Sequence, residues 1–296
     1  MIWLKRLGYL VGGIVLLLLL AVVIIYIITG LRIGKHYDVA TVPITEPTDS
    51  AAIARGQHLA TAIGKCTVCH GDDLGGQVLG DNLVFGRLVT ANLTTGKGGV
   101  FSRNDAASIG RAIRDGLRRD GTPLIFMPSE SYHVMSDADV GAIIAYLRSR
   151  PPVDRTLPAT RVGPLARALS LFTEFPLIPA RQIDHATPPP REVSVESTEH
   201  YGKYLVQIGL CTGCHRSNLS GGGGPEGRSS NLTPAGIGSW TEADFMRALR
   251  EGKRPVGAVI DSTVMPWPLA GKMTDEEIHA VWLYLKSVPP REYGTK

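Results

Sequence analysis

Two short stretches of this chain place paired thiols beside an imidazole at the same spacing. They are Cys66–His70, with the sequence CTVCH, and Cys211–His215, with the sequence CTGCH. Two cysteines three positions apart lie about one helical turn apart, so their thiols can bond the two vinyl groups of one porphyrin. The pattern C-x-x-C-H is typical of c-type haem attachment, and its histidine can ligate the iron. We therefore predict two covalently bound haem c groups, held by Cys66, Cys69, Cys211 and Cys214, with His70 and His215 as proximal iron ligands.

Three other uses of paired cysteines fit the sequence less well. A structural zinc site also uses C-x-x-C pairs, but its two pairs usually lie within about 20 residues of each other. Cys69 and Cys211 are 142 positions apart. A thioredoxin-like redox motif needs only one C-x-x-C pair. This chain has two such pairs, and a histidine follows each of them. A disulfide framework is expected in short secreted chains, and this chain has 296 residues.

The sixth ligand of each iron is predicted from the methionines. Electron-transfer haem is normally six-coordinate, and a methionine opposite the histidine raises its potential. Two methionine pairs recur at an offset of 138: Met127 with Met265, and Met135 with Met273. Met127 and Met265 precede prolines in irregular loops that can hold a side chain over a haem face, so we predict them as iron ligands. Met135 and Met273 precede helix caps, where apolar residues commonly pack against the helix. They are the alternative pair, and a ligand other than methionine is a further alternative.

One histidine competes for the same role in the first half of the chain. His133 lies in the loop between the two methionine positions, but its counterpart in the second half is Gly271. We therefore predict that His133 is an exposed loop histidine.

The two halves of the chain match well beyond the haem motifs. The paired segments are Asn92–Thr94 with Asn231–Thr233, Arg111–Gly116 with Arg247–Gly252, and Pro151-Pro152 with Pro289-Pro290. The offset changes from 145 at the haem motifs to 139, 136 and 138 at these segments, which indicates short loop insertions. The sequence thus predicts a duplicated domain of about 100 residues. The Asn-x-Thr patterns at Asn92 and Asn231 also resemble glycosylation acceptors, which we interpret as incidental.

Each copy is predicted to be mainly helical. Thr241 with Asp244, and Thr274 with Glu277, have the spacing of capping boxes, and Ser136 is placed to cap the corresponding helix of the first copy. The final helix of each copy shows apolar residues at i, i+3, i+4 and i+7, which indicates a buried face. These residues are Val140, Ile143, Ile144 and Leu147 in the first copy and Ile278, Val281, Trp282 and Leu285 in the second.

Residues 7–31 contain no charged side chain and are long enough to cross a bilayer as a helix. A cleaved signal peptide would have a shorter apolar run and a small-x-small cleavage site, and a buried soluble helix would show a polar face. Positive charges flank both ends of the run, so they give little information on orientation. Because covalent haem attachment takes place outside the energy-transducing membrane, we predict a single-pass protein of the inner membrane with residues 36–296 on the periplasmic side.

The net charge of +4 does not indicate a basic soluble protein. Residues 1–35 carry four basic and no acidic side chains, which leaves 27 basic and 27 acidic side chains in the remainder. A neutral soluble part gives no electrostatic basis for binding nucleic acid, so we predict the membrane and redox proteins as partners and no nucleic acid.

These observations predict a mainly α fold with an N-terminal transmembrane helix and two tandem haem-binding domains. The predicted divisions are a membrane anchor (1–35), a tether (36–50), domain 1 (51–152), a proline-rich linker (153–195) and domain 2 (196–292). The linker is too rich in proline for one long helix, although residues 164–173 could form a short one.

The chain resembles the class I cytochrome c family over residues 51–152 and 196–292. The resemblance rests on C-x-x-C-H near the start of each domain, a Met-Pro loop, and a final amphipathic helix that ends in Tyr-Leu and then Pro-Pro. Residues 231–241 also look like the cytochrome c subunits of periplasmic alcohol and sugar dehydrogenases. Those subunits have tandem haem domains and a membrane tie. They typically carry three haem motifs, whereas this chain has two.

The resemblance implies a membrane-anchored dihaem electron carrier that is not itself an enzyme. It would take electrons from a periplasmic dehydrogenase or a quinol-oxidising complex and pass them to a respiratory acceptor. The alternative is a dihaem enzyme, either peroxidase-like or sulfur-compound oxidising. A peroxidase needs an iron with an open position, and the sulfur-oxidising enzymes use a cysteine as distal ligand, for which no cysteine remains. A gas-binding sensor would also need an open iron.

Overall fold

A computed structural model of the protein describes residues 2–173, 175–223 and 228–295. Helix α1 (Ile2–Ile33) has 32 residues and is about 48 Å long at 1.5 Å per residue. An 18-residue window of this helix is apolar and has none of its residues buried. By length and composition, α1 is able to cross a membrane, as the sequence predicts.

The two copies of the repeat share five helices in the same order, and the second copy has one more. The first copy has α2 (Ser50–His58), α3 (Cys66–His70), α4 (Ala106–Asp115), α5 (Ser129–Tyr132) and α6 (Asp137–Ser149). The second has α8 (Glu199–Ile208), α9 (Cys211–His215), α11 (Glu242–Glu251), α12 (Trp267–Ala270) and α13 (Asp275–Ser287), with α10 (Pro234–Ile237) after α9. Helix α7 (Pro164–Phe172) lies between the copies, where the sequence predicts a short helix.

The first and last helices of each copy cross at a glycine. A Cβ atom at Gly56 of α2 would lie 1.9 Å from the carbonyl oxygen of Ala142 in α6. A Cβ atom at Gly202 of α8 would lie 1.9 Å from the carbonyl oxygen of Ala280 in α13. Any larger residue would push these helices apart, because packed interiors leave no spare volume.

The predicted helix caps and buried faces are present. The side chains of Thr241 and Thr274 form complete capping boxes with Asp244 and Glu277, and the Ser136 hydroxyl accepts a hydrogen bond from the backbone N–H of the third residue of α6. The predicted apolar residues of α6 and α13 are all buried and belong to one hydrophobic core that continues through both domains.

A further insertion, which lies before the haem motif and which the sequence analysis did not predict, is inside a helix. Gly56 and Gly202 are 146 positions apart, whereas the two haem motifs are 145 apart. The extra residue of the first copy is taken up by a π-helical turn at Leu59–Ile63, in which the Gly64 N–H donates to the Leu59 carbonyl at 2.7 Å. A π-turn accommodates one added residue without ending the helix.

The first copy also contains a β-hairpin that the sequence analysis did not predict. Strand β1 (Val78–Asn82) pairs antiparallel with β2 (Gly86–Val89), and β3 (Arg161–Val162) from the linker pairs antiparallel with β2. The offset falls from 145 to 139 between the haem motif and the Asn-x-Thr motif, so the first copy has six more residues in this region. At the hairpin turn, the Asn82 side-chain oxygen accepts hydrogen bonds from the N–H groups of residues 84 and 85.

The segment between α1 and α2 lies along the first domain. Ile44 is buried in the core, and the backbone N–H of Tyr37 donates to the Gly121 carbonyl at 3.0 Å. Glu46 forms an ion pair with Arg148 of α6 at 2.6 Å. These contacts fix the segment to the domain that it precedes.

Candidate haem-binding sites

The two haem motifs have the same backbone path. Helices α3 and α9 are single turns, and each is preceded by a residue in the left-handed region, Lys65 (φ 53°) and Leu210 (φ 62°). Each is followed by another residue with positive φ, Gly71 (φ 80°) and Arg216 (φ 67°). The chain thus turns sharply at both ends of each motif, which presents the cysteines and the histidine on one isolated helical turn.

The four thiols are partly buried and none forms a disulfide. Burial raises the pKa of the Cys66 thiol to about 12 and also raises the pKa values of Cys69 and Cys211. Reactive redox cysteines have lowered pKa values. The environment of these thiols is therefore unlike that of a thioredoxin-type dithiol.

Both motif histidines are oriented through one ring nitrogen. The Nδ1 atom of His70 lies 2.8 Å from the Ala91 carbonyl oxygen, and that of His215 lies 2.7 Å from the Ser230 carbonyl oxygen. Because a carbonyl only accepts, Nδ1 carries the proton and the lone pair is on Nε2. Within the described residues, neither Nε2 atom has a hydrogen-bond partner. Burial lowers the pKa of both histidines, which favours the neutral ring. A neutral imidazole with an unpaired Nε2 is the form that ligates iron, so these residues fit haem.

The loop after each motif is attached to the motif by equivalent hydrogen bonds. The Thr90 hydroxyl donates to the Cys69 carbonyl at 2.8 Å, and the Ser229 hydroxyl donates to the Cys214 carbonyl at 2.6 Å. Backbone N–H groups of residues 76 and 221 donate to the carbonyls of the two motif histidines. These hydrogen bonds therefore hold the C-terminal end of each haem motif in place.

Met127 and Met265 occupy equivalent, tightly turned loops. Their carbonyls accept hydrogen bonds from the backbone N–H two residues later, at 2.7 and 2.6 Å. The intervening residues Pro128 (φ −77°, ψ 54°) and Pro266 (φ −75°, ψ 55°) have the geometry of an inverse γ-turn. Both methionine side chains are partly buried against the core that also contacts Cys66. Proline fixes φ, so each turn is rigid. A rigid turn can hold the methionine side chain in a defined position, as an iron ligand requires.

Met135 and Met273 have a different environment. They are 2% and 9% exposed and lie within the hydrophobic core. Both directly precede the cap of the last helix of their domain, and this burial supports the packing role that their sequence positions suggest. The choice of Met127 and Met265 as ligands stays a prediction.

The Asn-x-Thr motifs hold the residues that follow the paired prolines. The Asn92 amide donates to the Val153 carbonyl at 2.7 Å, and its oxygen accepts from both the N–H and the hydroxyl of Thr94. Asn231 makes the equivalent bonds to the Arg291 carbonyl and to its own Asn-x-Thr threonine. Both asparagines are buried. This clamp ties the chain after α6 or α13 back to its domain, and it explains the repeated motif without glycosylation.

The prediction that His133 is an exposed loop histidine is wrong. Its side chain is 15% exposed, and Nδ1 lies 3.4 Å from Asp115. Its Nε2 atom lies 3.2 Å from the Thr187 carbonyl oxygen, and the ring packs edge-on to His185 at 6.4 Å between centroids. The linker folds back over the first domain here and covers the histidine, a tertiary contact that local sequence does not reveal.

The two domains meet through a buried network with approximate twofold symmetry. Arg55 forms a bidentate ion pair with Asp139 at 2.7 and 3.1 Å within domain 1, and Tyr204 of domain 2 donates to the same carboxylate at 2.7 Å. In the other half of the network, which is related to the first by the twofold symmetry, His58 of domain 1 lies 2.7 Å from Glu277, the domain 2 counterpart of Asp139.

The symmetry of this network follows from the duplication. Asp139 and Glu277 occupy the same position in α6 and α13, and His58 and Tyr204 occupy the same position in α2 and α8. Each domain thus contributes one carboxylate and one side chain that reaches the carboxylate of the other domain. The Tyr201 hydroxyl contacts Glu277 at 3.3 Å and completes the second half of the network.

The same interface brings the two haem motifs close together. The Lys65 ammonium group, next to Cys66, donates a hydrogen bond to the carbonyl of Gly209, two residues before Cys211. Lys65 is partly buried, and burial lowers its pKa. The N-terminal ends of α3 and α9 therefore face each other across the domain boundary.

Residues 53–151 and 200–289 match the cytochrome c family, and the two regions make up more than half of the chain. The protein belongs to this family. Its two matched regions each contain one complete haem motif, so it is a c-type cytochrome with two haem c groups.

Several named proteins resemble the chain over most of its length. The fructose dehydrogenase cytochrome subunit of Gluconobacter japonicus is 28% identical over 279 residues, which cover 83% of this chain and 55% of that protein. The cytochrome c subunit of the quinone-dependent alcohol dehydrogenase of Gluconacetobacter polyoxogenes is 28% identical over 283 residues, which cover 83% and 58%. A diheme cytochrome c-type of Cereibacter sphaeroides is 27% identical over 267 residues, which cover 81% and 86%. The chain thus spans about half the length of the two dehydrogenase subunits.

Proposed function

We propose that the protein is a membrane-anchored dihaem carrier that takes electrons from a periplasmic dehydrogenase or a quinol-oxidising complex and passes them to a respiratory acceptor. The observation that carries the proposal is the pair of equivalent haem motifs, joined by a buried domain interface. Similarity to cytochrome subunits of dehydrogenases supports the kind of donor. The apolar helix α1 supports the membrane anchor.

The proposal assigns the haem-holding residues in each domain. Cys66 and Cys69 would bind one haem and Cys211 and Cys214 the other, with His70 and His215 as proximal ligands and Met127 and Met265 as distal ligands. We propose domain limits of 51–152 and 196–292 around these two sets, between the anchor (1–35), tether (36–50) and linker (153–195). A bound haem c supplies an iron that gains and loses one electron.

In this chemistry the protein holds the two haem groups and orients the side chains that would ligate their irons. The carbonyls of Ala91 and Ser230 fix the histidine tautomers, and the inverse γ-turns at Pro128 and Pro266 fix the methionine loops. No side chain needs to transfer a proton in this scheme. The hydrogen bond between Lys65 and the Gly209 carbonyl links the two sites across the domain interface, which favours passage of an electron from one domain to the other.

The ligand assignment is tested on the purified full-length protein. We expect the ferric protein to show the red absorption band of methionine-ligated haem with the intensity of two sites. Met127→Leu and Met265→Leu should each remove about half of it, whereas the matched variant Met135→Leu should retain both halves. The reduced wild type should not bind carbon monoxide, and each ligand variant should bind one molecule per chain.

Two results would overturn this assignment or the carrier function. Loss of the band in Met135→Leu but not in Met127→Leu would transfer the ligand role to the alternative pair. Ready binding of carbon monoxide to the reduced wild type would show an open iron and favour a haem enzyme.

The proposed orientation is tested separately in cells. If residues 36–296 lie on the periplasmic side, protease added to intact spheroplasts should digest both haem domains. Protection of the domains until the membrane is disrupted would place them in the cytoplasm and contradict the proposal.

A further inference from the structure

A group of exposed apolar side chains lies beside the end of α1. They come from the tip of the hairpin and from α7, and we call them the lateral patch. Its members and their exposed fractions are Leu83 (87%), Val84 (51%), Phe85 (47%), Leu165 (37%) and Phe172 (76%). Exposed large apolar residues scattered singly are ordinary, but a contiguous group marks an interaction surface.

The two parts of the lateral patch form one unit. The backbone N–H of Gly163 donates to the Phe85 carbonyl at 2.8 Å, and that of Leu165 donates to the Val84 carbonyl at 3.0 Å. Hydrogen bonding between β2 and β3 continues this attachment up to residue 162. The hairpin tip is therefore fixed to the first turn of α7.

Helix α7 in turn packs against the last turns of α1. The Arg167 guanidinium donates to the Thr29 hydroxyl at 2.7 Å, and its carbon lies 4.5 Å from the centre of the Tyr26 ring. Thr29 is 1% exposed, so this contact is shielded from solvent. The lateral patch is thus attached to α1 at a defined height.

That height corresponds to the edge of the hydrocarbon layer. The uncharged run of 25 residues ends at Leu31 and is about 37 Å long at 1.5 Å per residue, compared with about 30 Å for a bilayer core. Tyr26 lies five residues before that end, or about 7.5 Å along the helix. Tyrosine is enriched at this level of membranes, so α7 lies where the chain leaves the lipid tails.

The charges around the lateral patch suit a lipid surface. Arg167 is the charged residue of α7, and Arg32 and Lys35 follow the apolar run. Arg161 is 65% exposed in its side chain and lies 3.8 Å from Asp81, a carboxylate that also pairs with Arg87 at 2.7 Å. A second acidic residue, Glu174, follows Phe172 by two positions in the sequence. Apolar side chains beside basic ones are characteristic of segments that lie in the membrane interface.

We infer that the lateral patch inserts into the headgroup region of the same phospholipid bilayer that α1 spans. This inference rests on the proposed membrane anchor and adds that domain 1 lies against the membrane at a fixed orientation. The six extra residues of the hairpin region belong to the copy that adjoins α1, which agrees with a role specific to that copy.

The test uses full-length haem-loaded protein in vesicles of phosphatidylethanolamine and phosphatidylglycerol. The photoreactive residue p-benzoyl-L-phenylalanine replaces Phe85, Phe172, Leu17 within α1, or Val256 in separate variants. Val256 is the matched control, because it is 89% exposed and lies in domain 2. After irradiation, mass spectrometry measures the fraction of each labelled peptide joined to lipid, and the haem spectrum confirms that each variant is folded.

We expect lipid adducts at positions 85 and 172 to exceed those at position 256 by at least about tenfold, and to approach those at position 17. Adducts at position 17 with only the control level at 85 and 172 would overturn the inference and leave the anchor intact. Equal labelling at 85, 172 and 256 would also overturn it, since the patch would then have no special contact with lipid. Absence of adducts at position 17 would refute the anchor, and the inference with it.

Discussion

The contact between Tyr204 and Asp139 should make a measurable contribution to stability. Tyr204 lies in domain 2 and donates to the Asp139 carboxylate of domain 1 at 2.7 Å. Its oxygen also accepts the backbone N–H of Ser136 at 3.2 Å. Tyr204→Phe removes this hydroxyl group and keeps the ring that stacks on Tyr201.

The magnitude follows from the partners that would remain. A hydrogen bond to a charged group contributes about 1.5–3 kcal/mol. Asp139 keeps its two hydrogen bonds to Arg55, so the variant does not leave an unpaired buried charge, which would cost about 3–5 kcal/mol. The buried N–H of Ser136 does lose its partner. We therefore expect Tyr204→Phe to lower the free energy of unfolding by about 2 kcal/mol, or about 30-fold in the equilibrium constant.

The assay is chemical denaturation of the detergent-solubilised, haem-loaded protein, followed by circular dichroism and extrapolated linearly to zero denaturant. The matched control is Tyr284→Phe, because the Tyr284 side chain is partly buried and its hydroxyl has no hydrogen-bond partner among the described residues. The control should change the free energy of unfolding by less than about 0.5 kcal/mol. An equally small effect for Tyr204→Phe would refute the view that this hydrogen bond joins the two domains.

Two further predictions concern the second domain. Burial raises the pKa of Glu277, but hydrogen bonds led by that from His58 outweigh it and hold the pKa below the ordinary glutamate value. The resulting stability is complete above pH about 4.3 and is lost as the pH falls through the lowered pKa of the folded state, so denaturation curves of Glu277→Gln should depend less on acid pH than those of the wild type. Gly252 has φ 65°, and a Cβ there would lie 2.4 Å from the Trp267 ring, whereas Gly257 has φ 80° and open space around it. Thermal or chemical unfolding should show that Gly252→Ala costs about 1–3 kcal/mol more than Gly257→Ala, and equal losses would rule out the ring contact as the cause.

Features set by nearby residues are predictable from this sequence. The capping boxes at Thr241 and Thr274, the buried faces of the last helices and the short helix at Pro164 depend on residues within one or two turns. The family resemblance and the two haem c groups also follow from compact motifs. Duplication strengthened the predictions of the haem groups and of the buried faces of the last helices, because those patterns occur twice.

Features set by distant residues are not predictable in the same way. Arg55 and Asp139 are 84 positions apart, and Tyr204 is a further 65, so their network exists only once both domains have folded and docked. The π-turn at Leu59–Ile63 leaves the helical pattern almost unchanged and shows only as a single-residue change of offset. The hairpin lacks the Asn-Gly or Asp-Gly turn that marks many hairpins. Its turn is stabilised instead by hydrogen bonds to the Asn82 side chain.

The intact mass of the purified full-length protein tests the central claim most directly. We predict the mass of the chain plus two covalently attached haem groups after denaturation, because both motifs would form thioether bonds. A variant with Cys66→Ala and Cys69→Ala should carry one group, as should a variant with Cys211→Ala and Cys214→Ala. An unmodified mass in the wild type, or haem that is extracted by denaturation alone, would contradict the account of a dihaem c-type electron carrier.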